Sequence, residues 1–135
     1  MSEVSKHRSN ILSIMRKYQA QRLAFQIIST SKMLTMIGTI NSPIMVWVSQ
    51  SWIDYLGFSE DYLTGVNFFD LIHKDDLKTS FEVFSIFQET GRLGFDSKHF
   101  INRYLCSDGN YKRVIWNNQM STEGGNYMVT AQALD

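Results

Sequence analysis

The residues best suited to chemistry are two adjacent aspartates and three histidines. Asp75 and Asp76 could form an acid–base pair or hold Mg²⁺ through their carboxylate oxygens. Acidic residues directly before an apolar helical pattern also cap a helix and favour its dipole, and we interpret the pair in this second way. His7, His73 and His99 lie on different predicted elements, so no two of them have metal-ligand spacing.

Signatures of known catalytic sites are missing from the chain. It contains no Gly-x-Ser-x-Gly, His-Glu-x-x-His, Walker or dinucleotide-binding motif. The Gly-x-x-Gly pair at residues 91–94 is interpreted as a helix end and not as a phosphate cradle. We therefore expect no enzymatic activity from this chain alone.

Composition predicts one globular domain of 135 residues, 44% hydrophobic and 13% aromatic, with no stretch long and apolar enough to span a bilayer. A net charge of zero, with tryptophans that form no basic-aromatic stripe, argues against nucleic-acid binding. The single cysteine, Cys106, excludes an internal disulfide, and the N-terminus lacks the pattern of a secretory signal. We expect a cytoplasmic location.

The chain divides near residue 32, which separates a helical segment (1–32) from a domain (33–135). The first 37 residues contain neither glycine nor proline, whereas all eight glycines and the one proline lie between Gly38 and Gly125. Charge divides in the same way, because residues 1–32 carry +5 and the remainder carries −5. This asymmetry indicates either a solvated helix face or electrostatic attraction between the two segments.

The first segment predicts one amphipathic helix from about Ser5 to Ser31, roughly 40 Å long at 1.5 Å per residue. A domain of about 100 residues cannot cover a helix of that length, so we expect a second copy of the chain to pack on it as a coiled coil in a homodimer. A mitochondrial presequence and a membrane-surface helix are the alternatives. The candidate interface residues, at heptad-like spacing, are Ile11, Ile14, Tyr18, Phe25 and Ile28.

The second segment predicts an α+β domain. Its order is two strands in a hairpin, short helices, one long helix and three more strands. The long helix begins after Asp75-Asp76 and ends at Gly91. Its apolar face consists of Leu77, Phe81 and Phe84, broadened by Val83, Ile86 and Phe87. The predicted strands span residues 33–40, 44–48, 98–106, 110–119 and 126–134.

Four stretches of this second segment resemble the PAS domain family. Residues 48–59 resemble the strand that runs into a helix closing on Leu-Gly-Tyr-Ser, and residues 69–76 resemble the "dliHPdD" signature. Residues 102–116 resemble the "nRyrckDGsyrWvxW" hairpin, and residues 131–135 resemble the last strand, which usually finishes on Asp. The order and spacing match the family over about 33–135.

The resemblance implies a five-stranded antiparallel sheet of order 2-1-5-4-3 with helices on one face, preceded here by the long N-terminal helix. It further implies a sensor of signal transduction, as in two-component histidine kinases and cyclases, that passes a signal to a downstream effector domain. A ligandless dimerisation module is the alternative. The outer sheet face near Trp47 and Ile115 is a second possible interface.

We expect no cofactor, or an unidentified small molecule. Haem-binding relatives take their ligand from the long helix, and residues 77–90 contain no histidine. Flavin-binding relatives carry an Asn-Cys-Arg-Phe-Leu-Gln helix, which is missing here. Neither haem nor flavin is therefore expected.

Strand alternation alone does not decide which sheet face is the inner one, because both faces carry apolar residues. We place a candidate pocket on the face opposite Phe81 and Phe84, which leaves Arg103 and Arg113 on the outer face. Asn102 and Tyr104 would orient a ligand there, whereas in a close-packed core Asn102 would be satisfied by backbone groups. The candidate lining residues are Phe81, Phe84, Phe100, Asn102, Tyr104, Val114 and Trp116.

Overall fold

A five-stranded antiparallel sheet of order β2-β1-β5-β4-β3 forms the centre of the structure, a computed structural model that describes residues 2–91 and 100–135. This is the strand order that the family resemblance implies. The elements are α1 (Glu3–Thr30), β1 (Leu34–Thr39), β2 (Met45–Val48), α2 (Gln50–Leu56), α3 (Glu60–Leu63), α4 (Leu77–Thr90), β3 (Ile101–Leu105), β4 (Tyr111–Glu123) and β5 (Asn126–Ala133), with short 3-10 turns at Phe68–Leu71 and Lys74–Asp76.

The long N-terminal helix is confirmed, with bounds close to those expected from the sequence. The hydroxyl of Ser2 accepts a hydrogen bond from the amide of Ser5 at 3.2 Å and so caps the first turn. The helix then continues for 28 residues without a helix-breaking residue and ends at Ser31, whose backbone is extended. Strand β1 begins three residues later, so α1 leads directly into the sheet.

The strands pair as the turn residues predict. The hairpin at Asn41-Ser42-Pro43 joins β1 to β2, and the glycines at 124 and 125 turn β4 into β5 with positive φ values of 57° and 84°. Strand β4 is longer than expected from the sequence and reaches Glu123. The predicted start of β3 at residue 98 lies outside the described residues.

The inner face of the sheet is covered by α2, α3, α4 and the 3-10 turns. Helix α2 ends at Gly57, where φ is +83° and an added Cβ would collide with the Ser107 side chain, so this position requires glycine. Trp52 of α2 is 1% exposed and packs against Tyr104 and Trp116, at ring-centroid distances of 5.4 and 5.9 Å. Trp52, Tyr104 and Trp116 thus form an aromatic cluster within a core that also contains many aliphatic residues.

Candidate functional site

A cavity of about 60 Å³ lies between α4 and the inner sheet face. Its wall is predominantly apolar, and no charged side chain lines it within the described parts of the chain. The lining residues are Met36, Phe68, Phe69, Ile72, Ser80, Val83, Phe84, Phe87, Phe100, Asn102, Tyr104, Trp116, Tyr127 and Val129.

Five of the seven candidate lining residues lie on this wall, and two do not. Phe81 is 49% exposed and packs against Phe69 outside the cavity, at a ring-centroid distance of 4.2 Å. Val114 is fully buried in the core but does not line the cavity. The five on the wall are Phe84, Phe100, Asn102, Tyr104 and Trp116.

The face of α4 differs from the one predicted by the Leu77, Phe81 and Phe84 pattern. The buried positions are Ser80 and Phe87, which with the half-buried Phe84 follow the spacing i, i+4, i+7. The buried face is thus displaced by about 60° around the helix axis from the expected one, because three residues of an α-helix turn through about 300°. The search for apolar residues at helical spacing missed the burial of Ser80, because serine is not apolar. A search that also accepted small polar residues at that spacing would have found it.

Asn102 is hydrogen-bonded by side chains, which corrects the expectation of backbone partners. Its Oδ1 accepts from the indole Nε1 of Trp116 at 2.8 Å, and its Nδ2 donates to the hydroxyl of Ser80 at 3.2 Å. Because an indole N–H can only donate, it determines which end of the Asn102 amide is the oxygen. Residues 80, 102 and 116 are at most 8% exposed, so this chain of hydrogen bonds is buried.

Two buried tyrosines also contribute to the cavity wall. Burial raises the pKa of Tyr104, an effect that the nearby Asn102 amide partly opposes, and burial raises the pKa of Tyr127 as well. Both phenols are therefore protonated near neutral pH. The ring of Tyr127 packs so closely over Gly38 that a Cβ there would lie 2.8 Å from the phenol oxygen.

A second, smaller cavity of about 20 Å³ adjoins the first and shares Met36, Phe68 and Tyr104 as wall residues. Trp52 also lines it, and the buried Nε1 of Trp52 has no hydrogen-bond partner in the described structure. An unpaired buried N–H costs stability. The interior on both sides of Tyr104 is thus not filled to close packing.

Asp76 stands at the predicted N-cap position of α4, but its carboxylate forms an ion pair at the edge of the sheet instead of a capping hydrogen bond. It makes no side-chain capping bond to α4, and instead its carboxylate accepts from the backbone N, the Nε and the Nη2 of Arg103 at 2.9, 2.9 and 3.0 Å. Arg103 starts on the outer face and reaches Asp76 beside the edge strand β3. His73 caps the short turn at Lys74–Asp76, because its Nδ1 accepts a hydrogen bond from the amide of Asp75 at 3.1 Å.

This ion pair predicts acid-dependent stability. Hydrogen bonds from Arg103 hold the pKa of the Asp76 carboxyl below its usual value, so the carboxylate stabilises the fold above the unfolded-state pKa of about 4 and the contribution disappears as pH falls through the lower folded-state pKa. Asp76→Asn should cost about 2 kcal/mol at pH 7 in urea unfolding, and this difference should shrink below about pH 4. Asp75→Asn, at a more exposed carboxylate, is the control. A cost for Asp76→Asn that does not change with pH would contradict this role.

The last residue of the chain is held by a second arginine. Asp135 accepts from the Nη2 and the Nε of Arg113 at 2.9 and 3.1 Å, and its backbone N donates to the hydroxyl of Tyr55 at 3.1 Å. Arg113 lowers the pKa of the Asp135 carboxyl.

Cys106 is buried, and burial raises the pKa of its thiol. A raised pKa does not favour a reactive thiolate.

The predicted interface residues of α1 lie on an exposed helix. Ile11, Ile14 and Tyr18 are 44%, 66% and 62% exposed, and Ile28 is half-buried. Phe25 is 50% exposed and packs against Trp47 of β2, with ring centroids 5.5 Å apart, so one end of α1 contacts the outer sheet face. Further exposed apolar residues lie on other sides of the helix, so its apolar surface is wider than one stripe. These residues are Leu12, Leu23 and Ile27.

The outer sheet face carries the other candidate interface. Trp47 and Ile115 are both half-buried there, and Phe25 covers part of Trp47.

Among the described helices, none is both long enough and apolar enough to cross a membrane. Residues 2–91 and 100–135 contain no cluster of three histidine, cysteine, aspartate or glutamate side chains that could hold a metal ion, and His99 lies outside them.

Comparison with known proteins gives structural matches only. No family model matches the chain, and no curated protein matches it in sequence. A PAS domain of a two-component sensor histidine kinase is similar, with a TM-score of 0.63 and 14% identity over 87% of this chain and 98% of that one. The PAS domain of an HTR-like protein from Haloarcula marismortui is also similar, with a TM-score of 0.57 and 16% sequence identity. The match covers 96% of this chain and 99% of that one.

A further match comes from an animal protein. The PAS-B domain of Drosophila melanogaster Cycle, solved with bound ethylene glycol, has a TM-score of 0.57 and 13% identity over 76% of this chain and all of that one. At such low identities the likeness concerns the fold alone. The strand order, the helices on one sheet face and these matches together show that this chain has the PAS fold.

Proposed function

We propose that this chain is the non-catalytic sensory or regulatory domain of a signal-transduction protein. In this proposal residues 33–135 form the PAS domain, which binds a small molecule in the cavity beneath α4. Residues 1–32 form the signalling helix, which dimerises with a second copy of the chain. The bound or packed state of the domain passes through the helix to an effector elsewhere in the full-length protein.

The observation that carries the proposal is the cavity itself, which combines a predominantly apolar wall with the buried polar pair Ser80 and Asn102 and the phenols of Tyr104 and Tyr127. A polar group in a buried apolar surface costs stability unless it is satisfied, and binding sites commonly combine an apolar wall with few polar groups. The bound ethylene glycol in the Cycle PAS-B domain is a second, weaker support, since that domain shares the fold.

The wall of the cavity is connected to the signalling helix by the chain itself. Met36 lines the cavity and belongs to β1, the strand that directly follows α1. Trp47 on the neighbouring strand β2 packs against Phe25 of α1. A ligand that repositions β1 can therefore bias the position of α1, provided that it binds the two positions with different affinity.

Filling the cavity provides the test. Val83 is a half-buried residue of the wall, and Val46 on β2 is 60% exposed and not part of it. We expect the purified protein to release a small molecule on denaturation, detected by mass spectrometry, and Val83→Phe to lose most of it because the added ring occupies the cavity. The matched change Val46→Phe should retain it. Equal amounts from both variants would contradict the proposal.

A ligandless dimerisation module is the second candidate. Its support is the size of the cavity, because about 60 Å³ is less than the roughly 150 Å³ of an engineered cavity that binds benzene. In this candidate the domain contributes packing only, and the exposed apolar surface of α1 forms the functional interface. Wild-type protein that carries no small molecule but is dimeric would favour it.

A further inference from the structure

The hydrogen bonds of the cavity wall determine which polar groups remain for a ligand. The amide oxygen of Asn102 accepts from Trp116, and the amide nitrogen donates one of its two N–H groups to the Ser80 oxygen. The Asn102 amide also hydrogen-bonds the Tyr104 phenol, which lowers the pKa of that phenol against the larger effect of burial, so its second N–H group is not left over. Because Ser80 accepts in its bond with Asn102, the O–H of Ser80 remains as a donor.

The described residues offer the Ser80 hydroxyl no acceptor. Serines within helices often donate to the carbonyl four residues back, but no such bond forms at Ser80. The Tyr104 hydroxyl interacts with the Asn102 amide through its oxygen, and its raised pKa keeps its own proton in place as a donor. The polar part of the wall thus includes the O–H donors of Ser80 and Tyr104, and the phenol of Tyr127 also lines the cavity.

The wall also limits the charge of a ligand. No lysine, arginine or histidine is among the described residues that line the cavity, so nothing there would compensate a buried carboxylate or phosphate. The aromatic rings of the wall, such as Phe84 and Phe87, favour an apolar body.

From these donors we propose that the ligand is a small, neutral, mainly apolar molecule with a hydrogen-bond acceptor, such as a carbonyl oxygen, that pairs with the hydroxyl donors of Ser80 and Tyr104. This inference rests on the proposed sensory function and adds the chemical class of the molecule sensed. The donors would also penalise a purely hydrocarbon ligand, because it would leave them unpaired.

Three probes of similar size test the class. Butanone has an acceptor oxygen, 2-methyl-1-butene replaces that oxygen with a CH₂ group of similar shape, and butanoate has a charged acceptor. Each is titrated into the full chain labelled with ¹⁵N. The indole N–H signals of Trp116 and Trp52 report on the cavity region, while that of Trp47 on the other sheet face reports unspecific binding.

We expect butanone to bind about tenfold more tightly than 2-methyl-1-butene and to shift the Trp116 signal, and butanoate to produce no shift. Val83→Phe should abolish the butanone shift, and Val46→Phe should retain it. Equal binding of ketone and alkene, or tighter binding of butanoate, would overturn the proposed ligand class while leaving a binding cavity in place. If none of the probes binds, the ligand class and the sensory cavity are both wrong.

Discussion

Replacement of Phe87 with alanine is expected to lower the free energy of unfolding by about 3–5 kcal/mol, measured by urea denaturation. Phe87 is 1% exposed, and its ring packs edge-on against Tyr127 at a centroid distance of 4.7 Å. It also lines the cavity, so its removal enlarges an existing void that the neighbouring side chains do not fill. The loss of buried apolar surface and the added empty volume both lower the free energy of unfolding.

Phe81→Ala is the matched control, since it makes the same chemical change on the same helix. Phe81 is 49% exposed and keeps mainly its ring contact with Phe69, so we expect a loss of about 1 kcal/mol. The pair of variants measures the rotation of α4 about its axis. If Phe81→Ala is the more damaging change, the apolar face of α4 is the one predicted from periodicity and the cavity is lined differently.

In the proposed homodimer, replacement of Ile14 with glutamate is expected to separate the two copies into monomers. Ile14 is 66% exposed on α1 and is one of the predicted interface residues. A glutamate from each copy would place two like charges in an apolar contact, where burial of a charge is costly. We expect the dimer dissociation constant to rise by at least about 100-fold, measured by sedimentation equilibrium or light scattering.

Gln19→Glu adds the same charge on the same helix and serves as the control. Gln19 is exposed and lies roughly 140° around the helix from Ile14, so it is not part of the Ile14 stripe. Its variant should remain dimeric. A dimer that survives Ile14→Glu unchanged would exclude this stripe, and the outer sheet face around Trp47 and Ile115 would be the interface to test next.

Local patterns explain why most of the elements could be predicted. The two strands around Asn41-Ser42-Pro43, the turn at residues 124–125 and the helix end at Gly91 all depend on residues that impose a backbone conformation on their immediate neighbours. The strand order was expected from the family resemblance and not from these patterns. Asn102, Tyr104 and Trp116 are buried as we expected, although strand alternation alone could not choose between two faces that both carry apolar residues.

The sequence analysis was wrong where the neighbouring residues in the chain fit two different structures equally well. An acidic pair before a helix fits a cap, yet the carboxylate of Asp76 binds Arg103, which is 27 residues away in the chain. Three apolar residues at helical spacing fit a buried face, yet Ser80 occupies that face because Asn102 offers it a hydrogen bond. In both cases the deciding partner is distant in sequence.

The sequence by itself determined the change from helix to strand near residue 32, the long N-terminal helix and the positions of the turns, because backbone preferences and apolar periodicity act over a few residues. Tertiary structure alone decided the rotation of α4, the partners of Asp76 and Asn102 and the donor-rich wall of the cavity. These features depend on which side chains meet across the sheet, and a hydrogen bond or an ion pair forms only where folding brings a donor within about 3 Å of its acceptor.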